Sequence, residues 1–507
     1  MKNIERRDFL KFMAAIPTSM VLSKLISHIE NSTSSAPNII VIVLDALTAR
    51  NMSLYGYPRQ TTPNIERFAA RSNVYHSHYS AGTYTTPGTA SLLTGTYPWT
   101  HRAINIRGLV ARKLYKRNIF HLLESHYNRI GFAQNRLATY LLGQFAESID
   151  QYIPRESFSK LELNVTDVKY RDFLVKSRAI DDFLFRLNSE TGSLIIGTFN
   201  RIRKLNSFQN VIQYNFQYSM TELIFNITDI FSGLASHLIN LNSELPSFCY
   251  FHLFPPHEPY IPAKEFLGLF EDDWRPVAKP RTPLDGGIEV YSPAELNEKR
   301  LKYDQFIATT DAALGGFLDE IGKAGLLENS YMILTSDHGE SFERGYWEHL
   351  GPFVYDPGIH IPLLISAPGQ TTRRDFHSVT NSVDLIPTIL KISGLEIPDW
   401  CEGEILPGMG GVTSNERPTF SMDAKKASAF GKLSPITIAM HQGDYKIIYY
   451  KGYEEKDSPY NKGLFELYNL RDDPEELHNL INTEQAIAQQ MQEQLLEAYH
   501  TANQPLQ

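Results

Sequence analysis

Uninterrupted runs of apolar, largely β-branched residues recur along the chain and predict buried strands. These runs occupy residues 38–44, 248–253, 331–336 and 360–366. They do not alternate with polar residues, which is typical of strands covered on both faces. Amphipathic segments lie around them and predict helices over Thr62–Ala70, 293–321 and 383–392. Strands that alternate with helices favour an α/β fold, a doubly wound and mostly parallel sheet with its site at the carboxyl edge.

Two regions depart from this pattern. Residues of about 144–242 are amphipathic and rich in aromatic side chains without a strong strand signal. We expect a helical insertion there, beside the face that carries the site, acting as scaffold, substrate lid or membrane-facing patch. From about residue 416 the pattern changes to short alternating segments at 436–440 and 445–450, followed by a polar helix from about Glu484. The predicted organisation is a large domain over 37–415 and a small antiparallel α+β subdomain over 416–507.

The first 36 residues have the character of an export signal. The run Arg6-Arg7-Asp8-Phe9-Leu10-Lys11, followed by the apolar stretch Phe12–Ile26, resembles a twin-arginine signal. A basic amphipathic start of a cytoplasmic protein is the alternative interpretation. The stretch is interrupted by polar residues and is shorter than a membrane span requires. We therefore expect export of the folded protein to the periplasm or beyond, with the segment either cleaved or retained as a tether.

Composition limits the classes of protein to consider. The chain has 507 residues, of which 42% are hydrophobic and 21% charged, as in globular proteins. Its formal net charge of −9 argues against nucleic acid as a partner, because such binding needs a clustered basic surface. The two cysteines, Cys249 and Cys401, provide no disulfide framework, and buried free thiols are the expected state.

Residues able to hold a cation follow two of the predicted strands. Asp45 ends the first strand, where a buried carboxylate is costly unless it binds a cation or hydrogen-bond donors. Asp337 and His338 end another, so their oxygen and nitrogen ligands can meet Asp45 across the sheet edge. Thr85 stands at the start of a predicted helix over about 87–93, where backbone N–H groups favour an anion. A hydroxyl bound to a cation at this place is a plausible nucleophile, because the cation lowers its pKa.

Histidines supply further candidate groups. His257 lies in a proline-rich loop just after a strand, where it can protonate a leaving-group oxygen or bind an anion. His349 can donate to a non-bridging oxygen or add to the shell of the metal. His252 belongs to the same group, whereas His101 with Arg102 is a weaker candidate for which a structural role is favoured. Each histidine taken alone fits a structural role as well; their shared position after predicted strands favours function.

The residues named so far resemble, in order and spacing, the sulfatase family of the alkaline phosphatase superfamily. The similar segments are 38–45, 55–57, 61–64, 91–95, 256–260, 336–340, 362–369, 467–470 and 473–479. The family's nucleophile loop reads Cys-x-Pro-Ser-Arg, four further residues and Thr-Gly, with the Cys oxidised to formylglycine. Here Pro87, Thr94 and Gly95 fit that loop, but Thr85 replaces Cys, and Gly88 and Thr89 replace Ser and Arg.

The resemblance implies roles for individual residues. Asp45, Asp337 and His338, with Thr85, are expected to bind one divalent cation, whether Ca²⁺, Mn²⁺, Mg²⁺ or Zn²⁺. Thr85 would be the nucleophile, and His257 and His349 would contact an anionic ester. Many sulfatases have a second Asp beside the first, but Ala46 follows Asp45 here. That departure argues against a calcium shell of six or more ligands.

The change of nucleophile affects which ester can be cleaved. A formylglycine hydrate expels sulfate by collapsing to the aldehyde, whereas the single hydroxyl of Thr85 cannot. A threonine alkoxide can instead attack phosphorus, as in relatives with Thr at this place that cleave phosphodiesters or transfer phosphoglycerol or phosphoethanolamine. We therefore expect hydrolysis of a phosphate mono- or diester, or phosphoryl-group transfer. Sulfate ester hydrolysis and non-catalytic binding of anionic glycan or lipid head groups remain the alternatives.

Overall fold

The computed structural model describes residues 36–155, 157–158, 226–282, 289–349, 351–414, 416–453 and 463–504. The predicted export signal therefore lies outside the described residues. Strands within these ranges are β1 (Asn38–Leu44), β2 (Asn73–Tyr75), β3 (His78–Tyr79), β4 (Asn128–Ala133), β5 (Gln151–Tyr152), β6 (Ser247–Leu253), β7 (Ser330–Thr335), β8 (Phe342–Glu343), β9 (Tyr346–Trp347), β10 (Leu363–Ser366), β11 (Arg374–Phe376), β12 (Thr380–Asn381), β13 (Thr419–Asp423), β14 (Ile436–Gln442), β15 (Tyr445–Lys451) and β16 (Leu464–Asn469).

Four of the α-helices in the described ranges begin after an Asn or Ser whose side chain caps the first turn. The helices are α1 (Pro63–Ala69), α2 (Thr85–Thr94), α3 (Pro98–His101), α4 (Ile119–Leu122), α5 (Arg136–Gln144), α6 (Ile227–Ile239), α7 (Pro293–Lys323), α8 (Asp356–Ile359), α9 (Leu385–Ile392) and α10 (Gln485–Ala502). The longest, α7, has Ser292 and Glu295 in a reciprocal capping box and proline in its first turn. The helix predicted over 293–321 is thus confirmed with its start at the predicted residue.

A mostly parallel sheet forms the centre of the molecule. Its eight strands lie in the order β11-β2-β10-β7-β1-β6-β4-β5, and only β10 runs against its neighbours. The central strand β1 is parallel to both β6 and β7, with Leu44 beside Leu253 and Val43 beside Thr335. The carboxyl ends of these three strands therefore meet at one edge, which confirms the predicted α/β sheet and places Asp45, His252 and Asp337 together.

Helices cover both faces of this sheet. Alternate residues of β1 face opposite sides: Ile40 and Ile42 pack in one core with helices α1, α6 and α7. Ile39 and Val41 pack in a second core with α2, α5 and α9. Burial on both faces explains why the strand is apolar throughout. The predicted doubly wound arrangement is confirmed.

The region predicted as a helical insertion is described only at its two ends, because residues 159–225 lie outside the described residues. Both ends belong to the central layers. Strand β5 pairs with β4 at the edge of the sheet, and it was not predicted. On α6, Phe231 packs against Phe317 of α7. This helix is thus part of the core under the sheet and does not lie beside the site as expected.

The C-terminal part forms a four-stranded antiparallel sheet in the order β13-β14-β15-β16. Met491 and Leu495 of α10 pack on this sheet, as predicted for a small α+β subdomain. The subdomain also contacts the segment before α2, since Met422 donates a backbone hydrogen bond to Ala81 at 2.9 Å. Cys249 is a buried free thiol, as expected, whereas Cys401 is a free thiol that is partly exposed. Within the described ranges, no helix has the length and apolar character of a membrane span.

Candidate active site and metal centre

Two aspartates and a histidine converge where the three central strands end. Asp45 follows β1, His252 lies near the end of β6, and Asp337 follows β7 by two residues. The Nε2 atom of His252 lies 3.1 Å from Oδ2 of Asp45 and 3.5 Å from Oδ2 of Asp337. All three side chains are fully buried, and their ligand atoms lie within 4.8 Å of one another. This set has the spacing and chemistry of a divalent cation site.

His338 brings a second imidazole to the same two carboxylates. Its Nε2 atom lies 3.3 Å from Oδ1 of Asp45 and 3.7 Å from Oδ2 of Asp337. On the other side of the ring, Nδ1 is 2.8 Å from the backbone oxygen of Gly339 and must therefore donate to it. In the neutral ring, Nε2 then presents a lone pair to the carboxylates, which is the orientation seen in metal-binding histidines.

The local electrostatics favour a cation between these groups. Oδ1 of Asp45 and Oδ2 of Asp337 are buried without a hydrogen bond of good geometry. Although burial opposes ionisation, the charges and hydrogen bonds of His257, His252 and His338 hold the pKa of Asp45 well below its usual range. Burial, together with the charge of Asp45, raises the pKa of Asp337. Two adjacent carboxylates of this kind repel each other unless a positive charge lies between them, so the residues present fit a bound metal ion.

The two carboxylates also shift the pKa of His338. Burial alone would lower its pKa, but the charge of Asp337 and the contact with Asp45 raise that pKa to about 9. A divalent ion between the two carboxylates would supply this positive charge and leave the imidazole neutral, as a metal ligand has to be.

Thr85 lies against this centre at the start of α2. Its Oγ1 atom is 3.4 Å from Nε2 of His338 and accepts a hydrogen bond from Nδ2 of Asn135 at 3.2 Å. The Asn135 side chain also donates to Asp45, while its own Oδ1 atom caps α5. The structure thus brings together Asp45, Thr85, Asp337 and His338, the set expected from sequence. Asn135 was missed, because its sequence context indicates only a helix cap.

Two further histidines lie beside the cluster. The ring centroid of His349 is 4.3 Å from that of His338 and 4.9 Å from that of His257. Nδ1 of His257 contacts the backbone oxygen of Glu258 at 2.6 Å, so this atom donates and Nε2 stays available. Nδ1 of His349 lies 3.1 Å from Oε1 of the buried Glu340. Sequence analysis did not identify Glu340, although it belongs to the same motif as Asp337.

The pKa of His349 reflects its surroundings. Burial, followed by the positive charges of His338 and His257, holds the pKa of His349 well below its usual value. Burial also raises the pKa of Glu340 to about 7, against the opposing charges of His257 and His338. A neutral His349 therefore donates through Nδ1 to Glu340 and keeps Nε2 as an acceptor or a ligand.

Comparison with known proteins identifies the family. The model of the family described as "Sulfatase" matches residues 37–395, which is well over half of the chain. This chain belongs to the sulfatase family. A second model, described as "N-sulphoglucosamine sulphohydrolase, C-terminal", matches residues 343–501. The chain is thus a sulfatase-family hydrolase acting on ester bonds, and enzymes of this family use a divalent metal.

The individual relatives have low sequence identity to this chain, but the matches cover most of it. A choline-sulfatase from Rhizobium meliloti is 22% identical and covers 88% of this chain and 83% of its own length. An N-acetylgalactosamine-6-sulfatase from Rattus norvegicus is 23% identical over 71% of this chain and 63% of its own. Among solved structures, a phosphonate monoester hydrolase of Agrobacterium radiobacter superposes with a TM-score of 0.65 at 17% identity, covering 92% of this chain and 96% of that one. A protein solved with its substrate D-glucosamine-2-N,6-O-disulfate superposes with a TM-score of 0.64 at 17% identity, covering 92% and 98%.

Gly88, in the first turn of α2, has no room for a side chain. A Cβ atom built on Gly88 would lie 2.1 Å from the backbone oxygen of Asp337, far inside van der Waals contact. The first turn of α2 therefore packs directly on the segment that carries Asp337. Any side chain at position 88, including the family's Ser, requires the helix and this segment to separate.

Gly88→Ala is accordingly expected to disrupt the site. Moving α2 away from Asp337 displaces Thr85 from His338 and lowers the stability of the protein by about 1–3 kcal/mol, the usual cost of overpacking. Turnover and thermal unfolding of the variant would be measured beside Gly143→Ala, because a Cβ at Gly143 meets nothing within 4 Å. Equal stability and activity of the two variants would show that the contact at Gly88 is not tight.

Thr89, the next residue along α2, lies beside His252. Its Oγ1 atom is 3.5 Å from Nδ1 of His252, and the hydroxyl of Tyr250 is 3.3 Å from the same nitrogen. Either oxygen can accept from Nδ1 and leave Nε2 directed at the aspartates. Thr89 and Gly88 thus pack directly on the segments that carry His252 and Asp337.

The weaker candidates have structural roles. His101 is the last residue of α3, with Nε2 3.1 Å from the hydroxyl of Ser91 and Nδ1 accepting from the backbone of Ala103. Arg102 donates to the backbone oxygens of Gly431 and Ala502 and so joins the subdomain to the sheet domain. Neither side chain contacts the metal centre, in agreement with the role favoured from the sequence.

Proposed function

We propose that this protein is a metal-dependent hydrolase or phosphoryl transferase that uses the hydroxyl of Thr85 as its nucleophile on a phosphate mono- or diester. One observation carries the proposal: Oγ1 of Thr85 lies within 3.4 Å of the imidazole of His338, at the edge of the paired aspartates. A buried threonine hydroxyl beside two carboxylates and two histidines is well placed to act as a nucleophile.

Asp45, Asp337, His338 and His252 would hold the divalent ion, with Thr85 beside them. The ion supplies positive charge that lowers the pKa of the threonine hydroxyl and stabilises charge on the ester oxygens. Asn135 holds Oγ1 of Thr85 in place through the hydrogen bond from its Nδ2 atom. At the start of α2, unpaired backbone N–H groups favour the added negative charge of the transition state.

The proposed reaction balances over two steps. In the first, the Thr85 hydroxyl gives its proton to solvent, its oxygen bonds to phosphorus, and the bond from phosphorus to the leaving alcohol breaks. His257, protonated on both nitrogens and held at Nδ1 by the backbone of Glu258, gives the proton on Nε2 to the departing oxygen. In the second step, water or an acceptor alcohol attacks phosphorus and gives its proton to Nε2 of His257, while the bond from phosphorus to Oγ1 of Thr85 breaks and Oγ1 takes a proton from solvent.

Hydrolysis of a sulfate ester is the second candidate. It is favoured by the family and by the similarity to a choline-sulfatase and an N-acetylgalactosamine-6-sulfatase, both over more than two thirds of this chain. A threonine nucleophile counts against it, because a sulfated threonine has no second hydroxyl through which to expel sulfate. The similarity to phosphonate monoester hydrolases supports phosphorus as an acceptable centre in this fold.

The two candidates are separated by a panel of substrates. The protein would be loaded in turn with Mn²⁺, Mg²⁺, Ca²⁺ and Zn²⁺ and given aryl sulfate, aryl phosphate and bis-aryl phosphate. We expect turnover of a phosphate ester with at least one metal. Turnover confined to aryl sulfate would replace the phosphate proposal with the sulfate one. No turnover of any ester would leave the non-catalytic binding of anionic head groups as the better interpretation.

A further inference from the structure

A continuous chain of hydrogen bonds leads from the partly exposed Trp347 to His349. The indole Nε1 atom of Trp347 donates to the hydroxyl of Tyr260 at 3.1 Å, and this hydroxyl lies 3.1 Å from Oε2 of Glu340. The other carboxylate oxygen of Glu340, Oε1, lies 3.1 Å from Nδ1 of His349. Tyr260 lies in the loop after β6, Glu340 in the segment after β7, and Trp347 in β9. The chain therefore connects three segments that surround the site.

The direction of each hydrogen bond in this chain follows from one fixed donor. An indole nitrogen can only donate, so the hydroxyl of Tyr260 accepts from Trp347 and has its single proton available for Oε2 of Glu340. An ionised carboxylate can only accept, so Oε1 of Glu340 requires a proton on Nδ1 of His349. The bond that one ring nitrogen makes determines the state of the other. In the neutral ring of His349, Nε2 thus has a lone pair and no proton.

The chain is held in place by burial and by the scaffold of the metal centre. Glu340 is fully buried, and the side chain of His349 is only 7% exposed. The ring of Tyr260 packs on that of Tyr303 of α7, with 5.3 Å between their centroids. Tyr303 in turn donates at 2.6 Å to the backbone oxygen of Ala46, which directly follows the first metal-binding aspartate. The carboxylate of Glu340 is thus oriented by elements that also position the metal ligands.

His349 brings the effect of this chain to the nucleophile. Its ring centroid lies 4.3 Å from that of His338 and 4.9 Å from that of His257. Nε2 of His338 is in turn 3.4 Å from Oγ1 of Thr85. Within the described ranges, no protein group makes a hydrogen bond to Nε2 of His349. This nitrogen is therefore available to a ligand beside the nucleophile, as an acceptor of a hydrogen bond.

We propose that Glu340 and Tyr260 are positioning residues that hold His349 in the tautomer with its proton on Nδ1, so that Nε2 accepts a hydrogen bond from a hydroxyl group of the substrate or of the attacking water. The inference rests on the proposed function, because it assumes that an ester reacts beside Thr85. Donation by a neutral His349 to a non-bridging oxygen, the role considered from the sequence, requires the opposite tautomer. The carboxylate of Glu340 disfavours that tautomer, since Nδ1 would then direct a lone pair at it.

Nitrogen-15 NMR of histidine-labelled protein reports which ring nitrogen carries the proton. The full-length protein would be loaded with a diamagnetic ion, Mg²⁺ or Zn²⁺, and the signals of His349 would be identified by their loss in His349→Gln. We expect the proton on Nδ1 in the unsubstituted protein. In Glu340→Gln we expect it on Nε2, because the amide keeps its oxygen toward the hydroxyl of Tyr260 and turns its NH₂ group toward Nδ1. A proton on Nε2 in the unsubstituted protein, or on Nδ1 in both proteins, would overturn the proposal.

Kinetics on the ester panel tests whether this tautomer matters for turnover. We expect Glu340→Gln to lower kcat by about 10- to 100-fold, the usual scale for losing a residue that orients a functional histidine. Tyr260→Phe leaves Glu340 without its second donor and is expected to lower kcat by about 10-fold. In both variants we expect normal thermal unfolding and normal metal affinity. Normal kcat in Glu340→Gln, with the proton moved to Nε2, would overturn the proposal.

Glu466→Gln is the matched control for the loss of a buried carboxylate. Glu466 lies on β16 of the C-terminal subdomain and accepts from two tyrosine hydroxyls, those of Tyr355 at 2.9 Å and Tyr450 at 3.1 Å. We expect its kcat to equal that of the unsubstituted protein, and a loss as large as that of Glu340→Gln would contradict a specific role for Glu340. Failure of the proposed function has a different signature, since the protein would then turn over no ester while NMR would still report the tautomer of His349.

Discussion

Thr85→Ala is expected to lower kcat on the phosphate ester by about 10³-fold or more, which is the scale of losing a catalytic nucleophile. The expected cause is specific, because the variant removes the one hydroxyl that Asn135 and His338 both contact. KM is expected to change little, since the charged groups that bind the anion remain. Steady-state kinetics on the metal-loaded protein would measure both quantities.

Neighbouring substitutions make this result interpretable. Thr86→Ala removes a buried hydroxyl that has no hydrogen-bond partner, so we expect near-normal turnover from that variant. Thr85→Ser keeps the hydroxyl and should retain activity within about 10-fold of the unsubstituted protein. Peptide mass spectrometry after rapid acid quench should find the transferred group on Thr85. Turnover by Thr85→Ala near the normal rate would remove Thr85 from the role of nucleophile and point to direct attack by water.

The sheet and its site edge were predictable because each signal was local. A strand buried on both faces has to be apolar throughout, and 38–44 and 331–336 show this directly. A polar residue that ends such a run must lie at the sheet edge, so Asp45 and Asp337 could be brought together before any coordinates. The same reasoning predicted α7, because Ser292, Pro293 and Glu295 form its N-terminal signal within four residues.

What the sequence did not predict depends on contacts between distant segments. Asn135 reaches Thr85 across 50 positions, and no spacing rule connects a helix cap with a nucleophile. His252 lies within an apolar strand, where a satisfied core histidine is the ordinary interpretation. The sequence placed His252 among the candidate histidines, but its position against Asp45 and Asp337 emerges only when β6 is aligned with β1. At the end of the region predicted as an insertion, amphipathic periodicity identifies helix α6 but not the layer against which it packs.

The close packing of Gly88 on Asp337 is another contact between distant segments that the sequence did not predict. Sequence comparison identifies a missing Ser in the motif, while the structure shows that the backbone of Asp337 occupies the space of any side chain there. Thr85→Cys alone would therefore not produce the Cys-x-Pro-Ser-Arg sequence, because Gly88 and Thr89 differ from it as well.

Removal of the metal is expected to abolish turnover and to destabilise the protein. Chelation leaves the carboxylates of Asp45 and Asp337 facing each other without a cation, and binding that is selective for the folded state stabilises it by about 2.7 kcal/mol at a ligand concentration of 100 Kd. Unfolding temperatures and rates would be measured before chelation, after it, and after Mn²⁺ is returned. Unchanged turnover in the chelated protein, confirmed metal-free by elemental analysis, would exclude a metal-dependent reaction.

His252→Gln tests whether His252, which the sequence did not assign to the metal, is a metal ligand. Since Nε2 of His252 contacts both aspartates, its loss is expected to weaken metal affinity by about 10- to 100-fold, even if His252 acts only by orienting Asp45. His101→Gln is the matched control, because His101 is equally buried but bonds to Ser91 and Ala103 instead of the aspartates. Metal titration followed by spectroscopy of a bound Co²⁺ ion would then separate the two roles. A ligand must change the coordination spectrum, whereas an orienting residue changes the affinity and leaves the spectrum as it was.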